Sequence, residues 1–275
     1  LRWADFRYKV LGTTDPAGAA GPSLRSLILQ RWRGLGLPGE PTVQDNGVHA
    51  SASPFEAMAE RLNWLGADVH FDEFGAALLQ AGVPMATLTQ WLDDPQVEFE
   101  GQRTSVFDLL QDLDAPSCVR KAQLIAGVTG PVMATKNTAF VFVKPHAVTP
   151  AVIDLVKDGL AQAGIKVLHE GAVDGRTIAE KGLIDRHYYA IARRASLHKP
   201  GPDTLPADLR EEFARRFGVE WEAALAQGLV CNAVDACARL GLEGDQLAVA
   251  WAGAKRTGQL IKCGGGFYLG LVLKP

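Results

Sequence analysis

Only four cysteines occur in 275 residues, Cys118, Cys231, Cys237 and Cys263, and no two of them form a C-x-x-C. No histidine stands beside them at ligand spacing. Neither a zinc site nor a disulfide framework is expected, and a reducing compartment is. Charge of one sign is lacking too: 28 basic residues face 31 acidic ones, for a net charge of −3 and a pI of about 6.1. That balance excludes a whole-chain footprint for nucleic acid or anionic lipid, so any polyanion must be held by a local site. No apolar run is long enough to span a bilayer, no stretch reads as a signal peptide, and no tandem repeat is visible. The expectation is an intracellular, cytoplasmic protein without membrane or nucleic-acid partners, with an organelle or an axoneme as alternatives. A start at Leu1 rather than methionine is expected of a processed chain or of part of a longer one.

What is present is a globular composition, 47% hydrophobic and 21% charged with a mean hydropathy of +0.02, enough for one large domain or two modest ones. Trp3, Phe6, Val10 and Leu11 recur at helical spacing until Gly12 and Asp15-Pro16 stop them. A second amphipathic run covers Ser23 to Leu35, and Val43 to Val48 fits a short strand. Ser53-Pro54-Phe55-Glu56 is a capping box with proline at the first helical position. It leads a helix with Phe55, Met58, Ala59, Leu62 and Leu65 on one face, ended by Gly66. Val69 to about Ala126 reads as helical with short breaks. Its acidic patch, Leu109 to Asp114, lacks the glycine and spacing of a calcium loop and reads as a solvated face. Gly127 to Asn137 reads as a linker.

The second half opens as a βαβ-like pattern: a buried strand over Ala139–Val143, an amphipathic helix over Pro150–Gly164, and a second strand over Ile165–Leu168. The helix carries Val152, Ile153, Val156 and Leu160 on one side. Helical text follows from Thr177 to Ala195. A proline-rich break at Lys199–Pro206 precedes a helical stretch from Ala207 to about Leu260, and the chain closes on the strand-like Phe267–Leu273. Gly264-Gly265-Gly266 lacks the phosphate-loop pattern and precedes a strand, so it reads as a turn.

His49 is the residue that suggests chemistry. It lies between a short strand and a strongly capped helix, flanked by Ala50, Ser51, Ala52 and Ser53, neighbours small enough to leave an imidazole approachable. Glu60, on the helix that begins at Pro54, is placed to reach one ring nitrogen. It would thereby fix the tautomer and leave the other nitrogen for attack. Taken alone, these residues fit equally a histidine hydrogen-bonded near a helix N-terminus.

The wider pattern is more specific. Asn46-Gly47-Val48-His49-Ala50-Ser51-Ala52-Ser53, continuing to Glu60, resembles the nucleoside diphosphate kinase signature N-x-x-H-G-S-D-S with its downstream glutamate. Leu11 to Ala17 resembles that family's L-G-x-T-N-P-A, and Gly21 to Arg25 its P-G-T-I-R. Phe140 to Pro145 resembles the first strand ending in K-P-D-G, and His187-Tyr188 the later H-Y. Together the five motifs cover roughly half of the chain. The resemblance implies a phosphoryl-accepting His49 oriented by Glu60 and Ser51. It implies nucleotide contacts from Lys144, Tyr188, Thr14, Arg25 and Asn46. Nucleoside di- and triphosphates would be the substrates, with Mg²⁺ accompanying the bound nucleotide. The implied fold is α/β of the α+β kind, a ferredoxin-like antiparallel sheet with helices on its faces, plus an appended helical insertion. A homo-oligomer or a place in a larger assembly goes with it.

Several residues depart from the family pattern. Ala50 and Ala52 replace its Gly and Asp, and His146-Ala147 replaces the D-G after K-P. The arginine expected shortly before L-G-x-T is out of register: Tyr8 holds that spacing and Arg7 is one residue off. The order is also reversed, as in multi-domain protist members of the family. Residues 1–66 correspond to the C-terminal half of a kinase-like domain, 67–136 to a helical connector and linker, and 137–275 to an N-terminal half with the helical insertion. Two origins fit, a stretch cut from a tandem array or a circular permutant whose ends rebuild one site. The alternative in function is a catalytically degenerate module with a structural or docking role.

Overall fold

The chain opens on one α-turn, α1 (Trp3–Asp5), which widens into a π-helix over Phe6–Leu11 and stops at Gly12. Trp3, Phe6 and Leu11 form its buried face, as their spacing predicts. Gly12 has a φ of +93°, and a Cβ there would fall 2.4 Å from Ser23 Oγ, so glycine is required at this stop. Ser23 then caps α2 (Leu24–Arg31), its Oγ accepting from the Ser26 amide. The computed structural model describes residues 1–19, 21–187, 196, 199–263 and 267–273. The turn expected at Gly264-Gly265-Gly266 lies outside the described residues.

The strand expected over Val43–Val48 is displaced. Residues 43–47 bend, because Asn46 Nδ2 donates back to Val43 O and Gly47 takes a φ of +86°, and the strand β1 runs Val48–Ala50. The helix α3 (Pro54–Leu65) forms as its cap predicts: Ser53 Oγ accepts from the Glu56 amide at 3.0 Å and Gly66 closes it in the left-handed region. Its inner face differs at one end, where Leu65 is exposed and Glu60 is buried.

Between residues 67 and 126 the helices are α4 (Glu73–Gln80), α5 (Met85–Trp91), α6 (Val106–Leu110) and α7 (Ala115–Ala126). A hairpin interrupts them, correcting the all-helical expectation: β2 (Gln96–Phe99) pairs antiparallel with β3 (Gln102–Ser105). Glu100 and Gly101 both have positive φ, which makes the two-residue connection a type I′ turn. A core of Phe55, Met58, Phe74, Leu78, Leu88, Leu110, Cys118 and Val119 unites these helices. The acidic patch is not a solvated face. Asp112 accepts from Arg7 at 2.7 Å and from the Tyr8 hydroxyl at 3.0 Å, while Asp114 accepts from the Trp3 amide at 2.7 Å, so it anchors the N-terminal helix. The 127–137 stretch has no regular structure but is tied down, Asn137 Oδ1 accepting from the Ala115 amide at 2.8 Å.

The strand β4 (Val141–Val143) lies antiparallel to β1, with Val48 opposite Val143, His49 opposite Phe142 and Ala50 opposite Val141. Alternation sends Val48, Ala50, Val141 and Val143 to the face covered by Leu24 and Ile28 of α2 and by Val152, Val156 and Leu160 of α8 (Pro150–Gln162). The second strand of the βαβ-like pattern does not form: Ile165 joins this core, but Val167 and Leu168 are exposed and find no strand partner among the described residues. Two short helices follow, α9 (Gly175–Lys181) and α10 (Leu183–His187). Residues 188–195 lie outside the described residues.

The chain divides into two compact units, 1–92 with 96–183 and 93–95 with 184–275. Residues 1–66 and 137–183 thus share the first unit. The second unit contains α11 (Ala207–Phe217), α12 (Trp221–Ala226), α13 (Ala233–Leu240) and α14 (Gly244–Arg256). A hairpin of β5 (Leu260–Lys262) and β6 (Tyr268–Gly270) accompanies them, and Leu205, Phe213, Trp221, Ala224 and Ile261 form the core. The fold is α+β, with two-stranded antiparallel sheets among the described residues. No described helix is long and apolar enough to cross a membrane, and all four cysteines are free thiols.

Candidate active site

Strand alternation is what exposes the site. Because Val48 and Ala50 point into the core, His49 must point to the opposite face of the β1–β4 pair, and α3 lies along that face. The Ser53 cap and Pro54 fix where α3 begins, which places Glu60, in its second turn, back over the strand. Glu60 Oε1 meets His49 Nε2 at 2.5 Å, and Ser51 Oγ donates to Glu60 Oε2 at 2.5 Å. Ser51 is itself pinned: its Oγ accepts from the Phe140 amide at 3.0 Å and its carbonyl accepts from Trp3 Nε1 at 3.3 Å. One carboxyl thus bridges the histidine and the serine.

Burial sets the protonation of this group. Loss of solvent pulls the imidazole of His49 down to about 4, and the positive charges of Arg25, Lys144 and Arg7 add to that shift against an opposing Glu56. Burial likewise pushes Glu60 up to about 8 and Glu56, one helical turn earlier, up to about 7, where Glu60 raises it further. Near neutrality the imidazole is neutral, and a protonated Glu60 faces Nε2.

The other expected residues surround the pair in different ways. Arg25 is buried and donates from Nε to Val48 O at 3.1 Å and from Nη1 to Gly12 O at 3.0 Å. Lys144 Nζ donates to Gln44 O at 2.7 Å, its amide donates to Gly47 O at 2.9 Å, and burial with Arg25 nearby holds its pKa below the ordinary value. Asn46 is buried and donates to Thr14 O at 2.9 Å, while its Oδ1 has no hydrogen-bond partner among the described residues. Thr14 is exposed and contributes its carbonyl to that bond. Tyr188 lies outside the described residues. His49, Glu60 and Ser51 are in direct contact, and Arg25 and Lys144 act on His49 through their charge.

Four residues escaped the motif reading. The spacing of Glu56 from Ser53 marks it only as a cap residue. Phe142 replaces nothing recognisable, yet it stacks on His49 with ring centroids 4.6 Å apart and planes at 24°. His146, where the resembling pattern has aspartate, accepts from the Gly47 amide at Nε2 and faces Asp45 with Nδ1 at 3.3 Å. Arg7 pairs with Asp112 and adds its charge at His49, one residue from the expected register. The π-helix between Arg7 and Leu11 provides the signal for that offset, since a π-turn takes up one extra residue.

Comparison of the chain with protein-family models, with curated proteins and with solved structures returned no match.

Proposed function

We propose that the chain is a phosphotransferase of the nucleoside diphosphate kinase kind, working through a phosphohistidine at His49. The observation that carries this reading is Glu60, which bridges His49 Nε2 and Ser51 Oγ on the face where the His49 strand pairs with the strand leading to Lys144. With Glu60 ionised and accepting from Nε2–H, Nδ1 is the attacking atom. Its lone pair forms the bond to the γ-phosphorus of a Mg²⁺–nucleoside triphosphate, the bond to the bridging oxygen breaks, and the diphosphate leaves with that electron pair. A second diphosphate takes the group back by the reverse step. Phosphoryl transfer asks for positioning and for cations against charge spread over oxygens, and Arg7, Arg25 and Lys144 supply positive charge around the imidazole. Mg²⁺ arrives with the substrate phosphates, whose ribose and oxygens fall to Thr14, Asn46 and Tyr188. In this reading β1 and β4 are a neighbouring pair of a ferredoxin-like core, and the protein works as a homo-oligomer or within a larger assembly. Incubation with γ-labelled ATP and Mg²⁺ tests it: the wild type takes up an acid-labile label and His49→Ala does not. An unlabelled wild type overturns the reading.

A second reading, a degenerate module with a docking role, is favoured by one observation. Backbone carbonyls take donors of the two central cations, Gly12 and Val48 for Arg25 and Gln44 for Lys144. Calorimetry separates the two, since Mg²⁺-dependent nucleotide binding counts against a purely structural role.

A further inference from the structure

Two contacts of His49 among the described residues constrain different motions. Glu60 fixes Nε2, but that hydrogen bond does not by itself set the plane of the ring, and the terminal torsion of histidine is broad. Phe142 lies flat against the imidazole, at 4.6 Å between centroids and 24° between planes. It cannot slide away, because it is the direct cross-strand neighbour of His49. Ladder bonds two residues to either side, Lys144 amide to Gly47 O at 2.9 Å and Ser51 amide to Phe140 O at 3.1 Å, lock that register. Around it stand Trp64, with centroids 5.4 Å away, and Phe140, at 6.0 Å. The ring that touches the nucleophile is therefore itself packed against two aromatics.

We propose that Phe142 is a positioning residue that fixes the plane of His49 and so determines which imidazole nitrogen accepts the phosphoryl group. This rests on the phosphotransfer reading. With the ring clamped between Glu60 and Phe142, Nε2 stays on the carboxyl and only Nδ1 is presented. Without the clamp the ring turns over about Cβ–Cγ, presents Nε2, and breaks the Glu60 bond. The aromatic face also lies against the positive charge that the imidazole acquires as Nδ1 bonds phosphorus and Nε2 keeps its proton.

The test uses the full chain with Phe142→Leu, Phe142→Met as a second apolar variant, and Phe142→Trp as an aromatic replacement. Phosphorus and nitrogen NMR of the ATP-treated protein distinguishes the two phosphohistidine isomers. The wild type and Phe142→Trp give the Nδ1 isomer alone. Phe142→Leu and Phe142→Met give a mixture, with labelling slowed roughly tenfold to a hundredfold, the scale of a misplaced reacting group. A folded Leu or Met variant that still yields one isomer at the wild-type rate overturns the inference. Nitrogen shifts of His49 without nucleotide make a second arm, in which Nε2 loses its hydrogen-bonded signature in the Leu and Met variants. Should the wild type take no label, the phosphotransfer reading fails, and the nitrogen shifts still decide whether Phe142 orients the ring. Unchanged shifts overturn it.

Discussion

The amide of Gly12 reaches back five residues to the carbonyl of Arg7, at 3.0 Å, closing a π-turn rather than an α-turn. That single extra residue changes which side chain faces the site. Counted as a regular helix, Tyr8 takes the inward place. In the folded chain Tyr8 is exposed and donates to Asp112 with its hydroxyl, while the charge of Arg7 acts on His49. Replacing Arg7 by methionine should raise the pKa of His49, since a positive charge that opposes the imidazolium is removed. Labelling by ATP should fall at least about tenfold, as expected for losing a cation near a developing charge. Proton NMR titration of His49 and the rate of label uptake check the two parts separately.

Much of the first unit was legible because local chemistry and tertiary packing agree there. The Ser53 cap, the Gly66 stop and the Val152–Val156–Leu160 stripe each have one reading, and the structure uses it. What was hidden depends on context. The hairpin strands Gln96–Phe99 and Gln102–Ser105 are polar and short, joined by Glu-Gly rather than by Asn-Gly, so nothing in their pattern separates them from helix. Residues 165–168 are β-branched and apolar enough for a strand, but a strand needs a neighbour as well as a propensity. In the site, His49, Glu60 and Ser51 followed from one short segment. Glu56 and Phe142 required knowing which strand lies beside His49 and which turn of α3 is buried.

The burial of two carboxyls one turn apart makes the proposed reaction pH-dependent in a definite sense. With His49 at about 4 and Glu60 at about 8, neutral solution leaves two protons on the pair, one on the ring and one on the carboxyl. The carboxyl donates to Nε2, so the ring proton occupies Nδ1 and blocks attack. Raising the pH through about 8 removes one proton and leaves Nε2–H facing a carboxylate with an unprotonated Nδ1 as the nucleophile. Labelling should therefore rise with pH and level off above that value. A hydrogen bond from the Glu56 side chain pulls the Glu60 carboxyl down against its burial. Glu56→Ala removes that bond and should move the rising limb to higher pH. A limb that stays in place would contradict the coupling.

Arg61 and Asp72 tie the end of α3 to the start of α4. The guanidinium meets the carboxylate with Nε to Oδ2 at 2.7 Å and Nη2 to Oδ1 at 3.0 Å, and its Nη1 donates to Thr138 O at 3.0 Å on the way into β4. Asp72 Oδ1 also caps α4 by accepting from the Phe74 and Gly75 amides. Because both side chains are largely buried, Asp72→Ala should cost about 3–5 kcal/mol through the stranded charge and the lost cap. Arg61→Lys keeps the charge but not the fork and should cost about 1–2 kcal/mol. Urea unfolding followed by tryptophan fluorescence measures both, and an Arg61→Lys cost near zero would show that the bidentate geometry contributes nothing.

Gly47 is where stability and the site meet most closely. Its φ of +86° is unfavourable for any other residue, and an added Cβ would stand 2.9 Å from Ile28 Cδ1 and 3.0 Å from Ile28 Cγ2. The same residue accepts from the Lys144 amide and donates to His146 Nε2, so it joins the β1 lead-in to the start of the K-P turn. Gly47→Ala combines a backbone cost of about 1 kcal/mol with an overpacking cost of about 1–3 kcal/mol. The two are separable, because Ile28→Ala removes the atoms in the way while leaving φ untouched. In the double variant, Ile28→Ala should therefore cost less than it does alone, with a coupling of about 1–2 kcal/mol. Strict additivity in a double-mutant cycle would mean that the chain shifts locally to admit the methyl group, and His49 would then move with it.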